Sequence, residues 1–93
     1  MIRSMTIDEW ERETKRVRSP AKRARLHGPS PGRAAEEMGV TRQAVHRAIE
    51  RGTLDALRVT YDEDGEKLAF MIITEASFER YQKARSYREA MAG

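Results

Sequence analysis

The sequence predicts an α+β fold that is mainly α-helical and carries one β-hairpin. Most of the chain places apolar residues at helical spacing between capping residues, whereas the stretch after Gly52 alternates apolar and polar residues as half-buried strands do. A chain of 93 residues is long enough for one small domain with a modest core. We divide it into an N-terminal helix and basic segment, residues 1–29, and a larger part, residues 30–93, within one compact domain.

The first predicted helix begins after Thr6 and ends near Arg18. Thr6 and Glu9 stand in the capping-box relation, in which each side chain accepts a hydrogen bond from a free backbone N–H of the other residue. Pro20 disfavours helical geometry in the residue before it, so the helix must end there. The residues that share one face are Ile7, Trp10, Thr14 and Val17.

Residues 19–28 allow two interpretations. Ser19-Pro20 is a typical start and Gly28-Pro29 a typical end of a short helix that reaches Leu26 or His27. The alternative is an extended basic linker. We favour the helix because both of its ends carry the expected residues.

Residues 30–52 contain two predicted helices joined by a tight turn. Ser30 is a good N-cap, and Pro31 suits the first helical position, where its missing N–H costs nothing. Gly39 lies where the first helix must end with a positive φ. Thr41 then caps the second helix, whose predicted buried stripe is Val45, Ala48 and Ile49. This arrangement is typical of a helix-turn-helix.

The exposed face of the second helix carries several hydrogen-bond donors: Arg42, Gln43, His46, Arg47 and Arg51, together with Glu50. Arginine and glutamine are the side chains whose geometry best matches the major-groove edges of guanine and adenine. We therefore predict that DNA bases are contacted by Arg42, Gln43, His46 and Arg47. A plain structural hairpin has no need for so many donors on one face.

The segment after Gly52 changes to a period of two, which predicts a β-hairpin. One face of the hairpin is predicted to carry Leu57, Val59, Tyr61, Leu68, Phe70 and Ile72. The predicted turn is Asp62-Glu63-Asp64-Gly65, with Gly65 at a left-handed bulge position.

A last helix is predicted after the cap residue Thr74. Its apolar stripe is Phe78, Tyr81, Ala84, Tyr87 and Met91. A stripe with this spacing usually packs in the core, but this one is long for a small domain, so part of it is a candidate dimer seam. The opposite face carries Glu79, Arg80, Lys83, Arg85 and Arg88.

The distribution of charge is more informative than the net charge of +3. From Thr14 to Ala35 there is no acidic residue, while Lys and Arg supply seven positive charges. Such a block beside a recognition helix is the footprint of a phosphate-binding surface; a solvated face without a partner is the alternative. The predicted contacts to the DNA backbone are Lys22, Arg23, Arg25, Arg33, Thr41, Arg51, Arg58 and Lys67.

From Ser30 to about Lys83 the chain resembles the winged helix-turn-helix of excisionases and MerR-type DNA-binding domains. The residues that carry the resemblance are Ala34-Ala35, Met38-Gly39-Val40-Thr41-Arg42, Val45, Arg47, Gly52-Thr53-Leu54, Ala56-Leu57-Arg58-Val59 and Ile73-Thr74. The helix-turn-helix core is also similar to the phage repressor Cro, at Gly39-Val40 and Ala48-Ile49. The resemblance implies a winged fold with an N-terminal helical extension and a closing helix, binding to duplex DNA, and no enzymatic activity.

Two features depart from the family pattern. The tip of the hairpin carries Asp62, Glu63 and Asp64, and phosphates would repel these carboxylates. Any contact from the wing must therefore come from Arg58 or Lys67. The N-terminal extension of about 29 residues is the second departure, and its basic stretch is a candidate for anchoring phosphates.

Other function classes have little support in the sequence. There is no cysteine, and His27 and His46 have no carboxylate pair or nucleophile placed beside them, so we expect no enzyme, no metal site and no cofactor. No apolar run approaches a membrane span and no signal peptide is evident, so the expected location is the cytoplasm.

The sequence thus favours a sequence-specific double-stranded DNA-binding protein: a small transcriptional regulator or an excisionase-like architectural factor. One such domain offers few base contacts, so we expect a homodimer or a cooperative multimer on DNA. The alternative is a protein-interaction module, such as an antitoxin or a phage adaptor, with the acidic hairpin tip and the last helix as its contact surfaces.

Overall fold

Helices and a mixed three-stranded sheet form the fold of residues 2–92, the part of the chain that the computed structural model describes. The predicted α+β class is confirmed. In chain order the elements are β1 (Ile2–Thr6), α1 (Ile7–Arg16), α2 (Pro20–Arg23), α3 (Pro31–Met38), α4 (Arg42–Glu50), β2 (Ala56–Glu63), β3 (Glu66–Ile73) and α5 (Glu75–Ala92).

The sheet has the strand order β1-β2-β3, with β1 parallel to β2 and β2 antiparallel to β3. The predicted hairpin is therefore present. Its register pairs Leu57 with Ile72 and Val59 with Phe70, so these residues share one face, as the alternation predicts. Strand β1 was not predicted. It is five residues long and buries only Met5, so its local pattern carries almost no strand signal.

The hairpin turn is tighter than predicted. Strands β2 and β3 pair as far as Glu63 and Glu66, so only Asp64 and Gly65 form the turn. Both have a positive φ, 50° and 81°, as in the two-residue type I′ turn whose twist matches that of the strands. The acidic tip, which we define as Asp62, Glu63, Asp64 and Glu66, is exposed.

The sheet separates two hydrophobic clusters. On one face, Leu57, Val59 and Ile72 pack with Met5 and Leu26. Ile7 and Trp10 of α1, and Val17 just after it, cover this cluster. On the other face, Ala56, Ile73 and Met71 pack against α3, α4 and the first turn of α5. The buried residues of this second cluster are Ala34, Ala35, Val45, Ala48, Ile49, Leu54, Ala56, Ile73 and Phe78.

Helices α1, α3 and α4 begin where their capping residues predict. The hydroxyl oxygens of Thr6, Ser30 and Thr41 each accept a hydrogen bond from the backbone N–H three residues on, at 3.1–3.2 Å. Helix α3 ends at Gly39, which has the expected left-handed φ of 68°. Helix α1 ends at Arg16, two residues earlier than predicted.

Residues 19–28 contain a short helix and are not an extended linker throughout, but the helix ends at Arg23, earlier than the predicted Leu26 or His27, and a turn follows it. Helix α2 is one turn long and leads through a further turn to buried Leu26, whose carbonyl oxygen accepts a hydrogen bond of 2.9 Å from Nε1 of Trp10. The residues after Leu26 hydrogen-bond to the segment where β3 ends and α5 begins. The N–H groups of Ile73 and Glu75 donate to the carbonyl oxygens of Pro29 and His27, at 2.7 and 2.8 Å.

Helix α5 belongs to the core only at its start. Phe78 is buried and Tyr81 is half-buried, but Tyr87 and Met91 are 67% and 72% exposed. The apolar stripe predicted from the sequence therefore packs in its first part and continues uncovered beyond the other elements. Whether a second copy covers it stays a prediction.

Candidate nucleic-acid interface

The candidate base-contacting residues lie on one exposed face of α4. Val45 and Ile49 are only 1% and 2% exposed, and together with Ala48 they fix the opposite face against α3 and the sheet. Gln43, His46 and Arg47 project from the exposed face. No hydrogen bond or ion pair to another part of residues 2–92 engages their side chains, so their donors remain available to a ligand.

Arg42 has a different surrounding, because its side chain lies back over the first turn of α3. A Cβ built on Gly32 would lie 2.9 Å from Nη2 of Arg42, which places the guanidinium in contact with that turn. Arg42 and Gly32 line a shallow groove together with Ser30, Arg33, Glu36 and Glu37. The guanidinium of Arg42 therefore rests against α3 and does not project with Gln43, His46 and Arg47.

Two of the predicted backbone contacts already have partners within the protein. Nε of Arg33 lies 3.3 Å from Oε1 of Glu37, one turn further along α3. The hydroxyl of Thr41 accepts from the N–H of Ala44 as the cap of α4. Both residues are exposed, and an exposed ion pair of this kind contributes little stability.

The cations Lys22, Arg23 and Arg25 are exposed on α2 and the turn after it. Arg23 and Arg25 line a groove of about 980 Å³ between α2 and α5. The carboxylates of Asp55, Glu75 and Glu79 line the same groove, and they come from segments far away in the sequence. The basic stretch from Thr14 to Ala35 has no acidic residue in sequence, but in the folded protein part of it lies close to these three carboxylates.

Arg58 and Lys67 lie on the same face of the hairpin. The part of this face away from the turn packs on α3 and α4. Arg58 pairs in register with Met71, which contacts that cluster, and Lys67 pairs with Asp62 in the acidic tip. Both cations are exposed. The hairpin thus presents its two candidate DNA contacts on the same side of the sheet as α4, with Lys67 next to a carboxylate.

Sequence reasoning did not assign a role to the arginines of α5. Arg80, Arg85 and Arg88 line a groove between α4 and α5 together with Arg47 and Arg51. The sequence signal was the row of cations on one face of the last helix. The spacing of these cations does not show that this face of α5 lies beside α4.

Comparisons of the chain with protein-family models, with curated proteins and with solved structures found no match. Within residues 2–92 no three His, Asp or Glu side chains come together in a way that could hold a metal ion. No helix in the same range has both the length and the apolar character needed to cross a bilayer.

Proposed function

We propose that the protein binds double-stranded DNA sequence-specifically through α4, as a winged helix-turn-helix with the β2–β3 hairpin as its wing. The observation that carries the proposal is the division of α4 into two faces. Val45, Ala48 and Ile49 anchor it in the core, while its outward donors have no partner within the described protein. A capped, rigidly held helix with free arginine and glutamine side chains is what major-groove recognition requires.

In the proposed complex, the N-terminal end of α4 faces the bases. Gln43 and Arg47 read base edges, and His46 adds a further contact. Arg42 leaves the first turn of α3 to join them. This movement exchanges contact with the Gly32 backbone for a bidentate hydrogen bond to a guanine, so it favours binding only at sites with a base in the matching position.

Contacts to the sugar-phosphate backbone hold the helix in register. On the α4 side of the sheet, these come from Arg33, Thr41 and Arg51, and from Arg58 and Lys67 of the hairpin. Lys22, Arg23 and Arg25 are proposed to reach a phosphate from α2. Such contacts position the protein without reading sequence. We assign no catalytic role and no cofactor to any residue.

The biological role that fits these contacts is that of a small transcriptional regulator or an excisionase-like architectural factor in the cytoplasm. The few base contacts of one copy favour a homodimer or a cooperative multimer on repeated half-sites. The uncovered part of α5, with Tyr87 and Met91, offers apolar surface for such an association.

A second candidate function is a protein-interaction module, such as an antitoxin or a phage adaptor. The same uncovered end of α5 and the acidic tip are exposed surfaces to which DNA binding assigns no direct contact. In this alternative those two surfaces bind a partner protein, and α4 serves as scaffold.

A salt titration separates the two candidates. Sites are first selected from random duplex DNA, and binding to the selected site is then measured over a series of salt concentrations. We expect tight binding at low salt and a steep linear fall of log affinity with log salt, because bound phosphates release counterions. Absence of duplex binding at low salt would contradict the proposed function and favour the protein-interaction module.

A further inference from the structure

A groove of about 580 Å³ between α4 and α5 is charged by arginine alone. Helix α4 contributes Arg47 and Arg51, and α5 contributes Arg80, Arg85 and Arg88. No aspartate or glutamate lines it. The larger groove between α2 and α5 differs in this respect, because carboxylates stand there among the arginines.

The arginines of the α4–α5 groove differ in what holds them. Nη1 of Arg85 donates to the carbonyl oxygen of Met38 at 2.9 Å, so Arg85 ties α5 to the end of α3, and its Nε lies 3.5 Å from Oε1 of Glu89 in an ion pair along α5. Nη2 of Arg80 lies 3.4 Å from Oδ2 of Asp55 in an exposed ion pair. Arg47, Arg51 and Arg88 have no ion pair within residues 2–92. Unpaired like charges repel each other, and a bound polyanion relieves that repulsion.

The groove is also continuous with the exposed face of α4, since Arg47 belongs to both. Arg80 and Arg88 are eight residues apart on α5, about 12 Å at roughly 1.5 Å per residue. Measured along the DNA helix axis, that distance corresponds to about three to four base pairs at roughly 3.4 Å each. The row of guanidinium groups is therefore long enough to reach more than one phosphate of a strand.

We propose that this groove binds the phosphodiester backbone of one DNA strand, beside the major groove that α4 enters. The inference rests on the proposed function and adds α5 to the interface. Guanidinium groups suit the task because their planar forks bind phosphate oxygens bidentately. Arg80 and Arg88 bind phosphates from α5, opposite Arg51 of α4. Arg85 is a positioning residue that keeps α5 in place through Met38.

The test uses the full chain carrying Arg80→Gln and Arg88→Gln, with a labelled duplex of random sequence titrated at increasing potassium chloride concentrations. The control carries Arg12→Gln and Lys83→Gln, which remove the same charge from α1 and from a face of α5 outside the groove. We expect the groove variant to flatten the plot of log affinity against log salt by about 1.8 units, at roughly 0.9 per phosphate contact. The control should change the slope by less than half of that amount.

The outcomes separate this inference from the proposed function. Wild-type binding to the duplex with the same slope in the groove variant would overturn the inference and leave the proposed function standing. Loss of binding to polyglutamate in the groove variant, with duplex binding unchanged, would overturn it in favour of an acidic polypeptide. Wild-type protein that binds no duplex at low salt would overturn both.

Discussion

Gly28 lies directly against the carbonyl oxygen of Ile73, where the N-terminal segment meets the end of β3. A Cβ built on Gly28 would overlap that oxygen and come within 2.9 Å of the backbone nitrogen of Glu75. Backbone hydrogen bonds from Ile73 to Pro29 and from Glu75 to His27 hold both chain segments at this distance. The residue before Pro29 must therefore be glycine. Through these hydrogen bonds, residues 27–29 fix the point where β3 ends and α5 begins.

The first prediction is that Gly28→Ala destabilises the protein by about 3 kcal/mol, because the added methyl group meets backbone atoms that cannot move aside separately. Urea unfolding followed by the fluorescence of Trp10, the single tryptophan, measures the change. The matched control is Gly32→Ala, where the new Cβ meets only the flexible end of Arg42 and a helical position gains roughly 0.5–1 kcal/mol from alanine. Equal stability of the two variants would contradict the close approach.

The second prediction concerns Ser77, which is fully buried at the start of α5. Its Oγ accepts from the N–H of Asp55 at 3.1 Å and from the hydroxyl of Thr74 at 2.8 Å. Ser77→Ala leaves both donors without this acceptor, so we expect a loss of about 2 kcal/mol in the free energy of unfolding. Ser86→Ala, at an exposed position of α5, should stay within about 0.5 kcal/mol of wild type. A loss for Ser77→Ala no larger than that of the control would contradict the contribution assigned to these hydrogen bonds.

The third prediction concerns base readout by the first turn of α4. Arg42→Ala and Gln43→Ala should each weaken binding to the selected site by roughly 1–3 kcal/mol, because each removes a bidentate contact to a base edge. Circular dichroism should show an unchanged fold, since both side chains are exposed. Unchanged affinity in both variants would mean that α4 enters the groove in another orientation.

The fourth prediction concerns the acidic tip. Replacing Asp62, Glu63 and Asp64 by Asn, Gln and Asn should leave the affinity for random duplex DNA unchanged or raise it, because the substitutions remove repulsion from phosphates. The measurement is anisotropy with a labelled duplex at low salt. A clear loss of DNA binding with the fold retained would reveal a contact from the tip, whereas loss of a partner protein would favour the interaction module.

The fifth prediction concerns the basic block around α2. If Lys22, Arg23 and Arg25 each neutralise about one phosphate, replacing all three by Ala should flatten the plot of log affinity against log salt by roughly 2–3 units. Discrimination between the selected site and random DNA should hardly change, since phosphate contacts carry no sequence information. Arg42→Ala is the control and should reduce discrimination far more than slope. An unchanged slope would mean that Asp55, Glu75 and Glu79 already neutralise this surface or that it faces away from the DNA.

The sequence by itself determined where α1, α3 and α4 begin, where α3 ends, and which residues of the hairpin share a face. Thr6, Ser30 and Thr41 start helices through hydrogen bonds that reach only three residues along the chain, and Gly39 ends one through its own φ. The two faces of α4 follow from helical spacing alone. Because these effects act over a few residues, a linear reading contains all the information they need.

Tertiary structure alone decided how distant segments meet. Strand β1 exists because β2, more than fifty residues away, supplies its hydrogen bonds, and Gly28 is required by a carbonyl oxygen of β3. The same holds for charge. The block around α2 faces Asp55, just before β2, and Glu75 and Glu79 of α5. Five arginines from α4 and α5 line another groove, and within residues 2–92 only Arg80 and Arg85 among them have a carboxylate partner. Electrostatic interactions depend on distance in space, and for residues far apart in the chain only packing sets that distance.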